Sequence, residues 1–106
     1  MEFLSHFSNL TDFRVKGRTY HLLSDIVGIA ILAVLAECDE WHDIADWAKS
    51  KKKYLETYFV LPHGIPSHDT FERIFSMLNP IEFELAFISW VNSFLDEPNK
   101  FIGIYV

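Results

Sequence analysis

Glycine and proline are scarce in this 106-residue chain, at four residues each, and cysteine occurs once. So few turn-formers leave helices joined by short connections as the natural reading. One cysteine, Cys38, excludes an internal disulfide framework and fits a reducing, cytoplasmic setting. The opening Met1-Glu2-Phe3-Leu4-Ser5-His6 lacks the basic region and apolar run of a secretory leader. The longest apolar stretch, residues 26–36, falls well short of the roughly 20 residues that cross a bilayer, so no membrane partner is expected. Basic residues are also in deficit: nine Lys and Arg against 15 Asp and Glu give a net charge of −6. That balance argues against a surface that attracts DNA phosphate everywhere.

What the chain has in quantity is apolar bulk. Half of its residues are hydrophobic and 16% aromatic, enough to build a core and to exclude disorder despite the net charge. The length suits one domain. The expected architecture is all-α, a compact bundle of about five or six helices around a buried central helix, with a short C-terminal extended segment.

Periodicity places the elements. Phe3, Leu4, Phe7 and Leu10 mark a short first helix, followed by a basic connector with Arg14, Lys16 and Arg18. The next helix starts near residues 21–25 and runs to about Cys38; its nearly unbroken apolar run predicts that other helices surround it. Trp41, Ile44, Ala45, Trp47 and Ala48 form a second stripe. A helix over residues 51–59 is expected to turn Tyr54, Leu55, Tyr58 and Phe59 inward. Pro62, Gly64 and Pro66 then punctuate a loop, with Ser67 placed to cap a helix whose buried stripe is Phe71, Ile74, Phe75 and Leu78. Asn79-Pro80-Ile81-Glu82 reads as a restart in which Asn79 caps, Pro80 takes the first position and Glu82 closes a capping box. The last helix reaches about Leu95. Residues 97–100 form a linker, and residues 101–106, Phe-Ile-Gly-Ile-Tyr-Val, read as the start of a strand.

Several blocks together resemble a known family. They are Phe7-Ser8-Asn9-Leu10-Thr11-Asp12-Phe13-Arg14, His21-Leu22-Leu23-Ser24-Asp25-Ile26, Trp41-His42-Asp43-Ile44, Gly64-Ile65-Pro66-Ser67-His68-Asp69-Thr70-Phe71-Glu72-Arg73-Ile74-Phe75 and Asn79-Pro80-Ile81-Glu82-Phe83. In these blocks the chain resembles the N-terminal associated domain of the H-repeat-associated insertion-sequence transposases, a branch of the DDE type. The resemblance implies a helical domain over residues 1–96 preceding an RNase H-like catalytic domain, with residues 97–106 as linker and first strand of that missing half. It implies a role in DNA transposition, through DNA-end recognition or assembly. Tyr105 stands where the resemblance expects the first acidic metal ligand, and a phenol does not replace a hard carboxylate oxygen on Mg²⁺. Two-metal chemistry needs carboxylates from separate elements around ions about 4 Å apart. No catalytic residue is therefore expected here, nor a cofactor or small-molecule substrate. The competing reading is a truncated remnant acting as a self-associating protein-interaction module.

Candidate DNA contacts fall in two places. Lys49, Lys51, Lys52 and Lys53 form a basic spot; four neutralised phosphates would give a salt slope of about −3.6, hence weak, salt-sensitive binding. Ser67, His68 and Arg73 belong to a helix that could serve as the second member of a helix-turn-helix-like pair, with Arg73 gripping guanine or phosphate and the Ser67 cap offering N–H groups. Asp69 and Glu72 on the same outward face oppose this. A packing helix with Arg73 paired to Asp69 one turn back is the favoured reading for that element. Cys38 and His42 have i, i+4 spacing and His63 and His68 flank the loop, but zinc needs three or four convergent ligands and no matching second pair exists, so no metal site is expected. Ser67, His68 and Asp69 are neighbours on one turn and cannot align as a relay. Trp41, Trp47 and Trp90 are expected in the core, and homodimerisation is expected through exposed aromatic surface or the C-terminal segment.

Overall fold

The computed structural model describes residues 5–8, 10–14 and 20–96, with side chains to residue 93. Among these residues there are five helices and no strand: α1 Leu23–Leu35, α2 Trp41–Ser50, α3 Lys52–Leu55, α4 His68–Met77 and α5 Pro80–Asp96. The expected C-terminal strand lies outside the described residues. No single described helix is long and apolar enough to cross a membrane.

Helix α1 fills the centre because its sequence offers almost nothing polar. Ile26, Val27, Ile29, Ala30 and Ala33 are buried, and α1, α2 and α4 pack pairwise on one another around them. Its last turn departs from the expectation of a surrounded helix, since Val34 and Leu35 are 58% and 55% exposed. The helix ends in a Schellman motif: the Cys38 N–H donates to the Ala33 carbonyl at 3.0 Å and the Glu37 N–H to Val34 at 2.9 Å. That motif puts Glu37 at φ +72°, a position glycine occupies more cheaply.

Asp25 is the one buried charged side chain in the described core. Its carboxylate faces inward, where Oδ2 accepts from the Leu61 N–H at 2.8 Å and Oδ1 accepts from the Val60 N–H at 3.4 Å. The acid thus pins the loop leading to α4, while Leu61 adopts φ +47° and packs its side chain into the core. No buried side-chain nitrogen or oxygen among the described residues lacks a partner.

Helix α3 is one turn, not the two expected through Phe59. The chain leaves it by turns in which the Thr57 N–H donates to Tyr54 and the Phe59 N–H to Leu55. Leu55 and Phe59 are buried, but Tyr54 and Tyr58 point outward and meet edge-on at 5.2 Å. Once the helix stops, its phase no longer carries Tyr58 inward.

The two following starts form as the sequence predicts. Ser67 Oγ accepts from the Thr70 N–H at 3.3 Å. Asn79 Oδ1 accepts from the N–H groups of Ile81 and Glu82 at 2.9 and 3.1 Å. Phe71, Ile74 and Leu78 are buried, with Phe75 half-buried beside them. Glu82 does not close a capping box. Its carboxylate instead takes the Thr11 N–H at 2.8 Å and the Thr11 hydroxyl at 2.9 Å, clamping the N-terminal segment to α5.

Candidate interaction surfaces

The expected DNA contacts split into two patches. Lys49, Lys51, Lys52 and Lys53 are all exposed at the C-terminal end of α2 and the start of α3, where positive charge also complements the α2 dipole. Lys52 lies 4.0 Å from Glu56, one turn on. Ser67 and His68 sit at the other end of α2: the His68 ring stacks on His42 with centroids 3.7 Å apart. From His42 to Lys49 the helix advances about 10 Å. A single stretch of phosphate backbone would have to cross the exposed Asp43 and Asp46 to join them.

His68 is consequently half-buried under His42, not an open outward residue, and its Nδ1 lies 3.2 Å from Asp69 Oδ1. Asp69 therefore engages His68, and the expected Asp69–Arg73 pair does not form. Arg73 and Glu72 are exposed as expected; Ser76 is exposed too, and its hydroxyl donates back to the Arg73 carbonyl at 2.7 Å. His63 stacks on Tyr20 at 3.8 Å. Among the described residues no three of His, Cys, Asp and Glu converge as metal ligands. Cys38 donates weakly to the Asp43 carbonyl at 3.7 Å, and burial, then the nearby Asp43 and Asp39, push its thiol pKa up. It is a poor nucleophile at neutral pH.

Apolar surface is the stronger feature. The end of α1, the start of α2, and the facing sides of α4 and α5 enclose an open groove of about 540 Å³. Its walls include Ile31, Val34, Leu35, Trp41, Phe75, Phe83 and Phe87, with Asp39 and Glu40 at the rim. Trp41 is half-buried against Phe75 at 5.5 Å, and Trp47 and Trp90 also pack on the core from half-buried positions. Helix α5 joins the other helices through a chain of rings, Phe83 lying 6.0 Å from Phe7 and 5.8 Å from Phe75.

Helix α5 has a second apolar stripe. Ile81, Leu85 and Ile88 follow i, i+4, i+7 spacing and are 67%, 63% and 44% exposed. The helix is 17 residues long and rich in apolar side chains, so these cover more than one face.

Comparison with known proteins decides the family. The family described as DDE_Tnp_1-associated matches residues 4–91. The chain belongs to the DDE_Tnp_1-associated family. An Escherichia coli K12 relative named "H repeat-associated putative transposase YbfD" is 33% identical over 97 residues, covering 92% of this chain and 38% of that protein. A protein of the dhlA 3' region of Xanthobacter autotrophicus is 47% identical over 77 residues, covering 73% of this chain and 26% of its own length. "Inactive transposase YbfQ" of E. coli K12 is 36% identical over 73 residues, with 69% of this chain and 87% of that protein covered. The chain spans only about a quarter to two-fifths of the length of the first two. No solved structure matches. The DDE_Tnp_1-associated domain is thus a transposase-related helical unit, as the sequence blocks around Ser67 and Asn79 implied.

Proposed function

We propose that this domain is a non-catalytic, cytoplasmic part of a transposase-type protein and serves DNA transposition by assembly, associating with a second copy through the outer face of α5. The observation that carries this reading is the exposed Ile81, Leu85 and Ile88 stripe. Phe83 and Trp90 already anchor the helix to the core, and the three aliphatic side chains of the stripe stay exposed. Self-complementary apolar stripes of this kind pair naturally across a two-fold axis. Sedimentation of the wild type and Leu85→Asp over a range of concentrations tests it. Association that rises with concentration in the wild type and vanishes in the variant supports the reading; identical monomers contradict it.

A second reading, contact with a DNA end, rests on the exposed Lys49, Lys51, Lys52 and Lys53. Its strength would fall steeply with salt, because little besides phosphate neutralisation is available there. Gel-shift titration at low and moderate salt tests it separately, with a charge-neutralised lysine variant as control. No shift at low salt removes DNA contact from this domain.

A further inference from the structure

The lysines at positions 49 and 51–53 are followed directly by two rings that the fold leaves in water. Tyr54 and Tyr58 are 57% and 41% exposed, and their rings meet edge-on at 5.2 Å. Both are carried by a hydrogen-bonded turn. Leu55 and Phe59, each one residue further on, are buried and anchor it. Within it the Tyr58 N–H donates to the Leu55 carbonyl at 3.0 Å, and the Thr57 hydroxyl donates to the Tyr54 carbonyl at 2.6 Å. A side-chain hydrogen bond to Tyr58, then the charge of Tyr58 and burial, pushes the Tyr54 pKa up, so this ring stays neutral beside an anion. All four lysines are exposed, and Glu56 is the one acid between residues 49 and 60. Its pairing with Lys52, at 4.0 Å between exposed groups, holds that lysine only weakly. In a chain of net charge −6, positive charge is thus concentrated beside solvent-facing aromatic rings.

We infer that this surface takes an unpaired DNA strand in preference to duplex, its lysines meeting phosphate and Tyr54 and Tyr58 stacking on bases. The inference rests on the second reading above, DNA contact through the same lysines, and gives that contact its substrate class. In a duplex the bases cover one another's faces and show only their edges in the grooves. To that partner the surface offers little beyond its charges. An unpaired strand presents a charged backbone together with free base faces, and stacking on a ring contributes roughly 5- to 150-fold in affinity per base. An edge-on contact covers at most one face of one ring, so the pair steadies the tyrosines and still leaves stacking surface. Exposed Asp46, one turn before Lys49, bounds the patch on the side away from the rings.

Fluorescence anisotropy at low salt tests this, with an end-labelled DNA oligonucleotide of about 12 residues offered alone or annealed to its complement. The single strand should bind at least about fivefold tighter than the duplex. Charge alone predicts the reverse order, because the duplex carries the denser array of phosphates. Tyr54→Ala/Tyr58→Ala should lose the preference while its duplex affinity stays at the wild-type value. Tyr54→Phe/Tyr58→Phe should keep it, since stacking needs the rings and not the hydroxyls. Lys51→Gln/Lys52→Gln/Lys53→Gln should weaken both forms and lower the single-strand salt slope by about 2. Circular dichroism verifies that each variant remains helical. Duplex bound as tightly as the single strand, or an alanine variant that still prefers the single strand, would overturn the inference and leave lysine contact standing. Loss of the preference in the phenylalanine variant would also overturn it, in favour of hydroxyl contacts. Binding of neither form would remove both this inference and the reading on which it rests.

Discussion

Helices α4 and α5 begin alike and face the solvent differently. Each starts at a side-chain cap, Ser67 or Asn79, and each lays aromatic residues against the core. The outer face of α4 then carries Asp69, Glu72, Arg73 and Ser76 with Met77 as its exposed apolar residue, whereas that of α5 carries the row Ile81, Leu85 and Ile88. Capping and core stripes are requirements of folding and are met in both. The difference lies on the faces that folding does not use, and such a face is where a contact with something else is legible. By that comparison α4 braces the domain, and the proposed contact falls on α5.

The largest effect that sharpens the contrast is expected at the inner face of α4. Phe71→Ala should cost about 3–5 kcal/mol, because the ring is fully buried and its loss leaves a cavity. Against a total stability of roughly 5–15 kcal/mol for a domain of this size, urea unfolding would show a variant close to collapse. Next comes the loop that delivers α4. Asp25→Ala strands the Leu61 N–H and should cost about 1–3 kcal/mol in the same assay, with Asp25→Asn milder because an amide oxygen can still accept. On the outer face of α5, Leu85→Ser should leave stability within about 0.5 kcal/mol of wild type. A larger loss would erase the distinction between the two faces.

Two further modest effects concern the supporting turns. Glu37→Gly relieves the left-handed backbone at the end of α1 and should stabilise by up to about 1 kcal/mol, read as a higher melting temperature. His21 titrates in the opposite sense to a paired histidine. Burial, then the charges of His63 and Arg14, lowers its pKa, with Asp25 opposing. The unfolded chain therefore takes up the proton first as pH falls through about 6.5, and stability declines below that point until the folded-state pKa is passed. His21→Gln should flatten this part of the melting-temperature profile.

The caps at Ser67 and Asn79 were readable because the groups they satisfy lie two or three residues away. The stripe of Phe71, Ile74 and Leu78 was readable for the same reason: one short helix sets its own period. What escaped involved distant partners or a change of phase. Glu82 has the spacing of a capping box, but Thr11, 71 residues earlier, takes its carboxylate. Asp25 stands out as an acid entering an apolar run, yet nothing local indicates that residues 60 and 61 supply its donors. Tyr58 was assigned inward on a helical period that stops at Leu55, and Tyr54 turns outward within the same short helix. His68 was placed outward by helical spacing, and His42 on another helix covers it. The lysines at positions 49 and 51–53 are exposed as a charged run should be, but whether such a run meets phosphate is a property of its partner. The same holds for the α5 stripe, whose spacing is visible while its outward direction depends on how Phe83 and Phe7 pack.

The most direct test is the solvent accessibility of the Ile81, Leu85 and Ile88 methyl groups, measured by relaxation from a soluble paramagnetic agent as protein concentration is raised. Contact through α5 predicts that these methyls become shielded together, while Thr70 on the half-buried flank of α4 keeps its dilute-solution value. Methyls of α5 that stay as accessible in concentrated as in dilute solution would contradict the assignment of that helix as the contact surface.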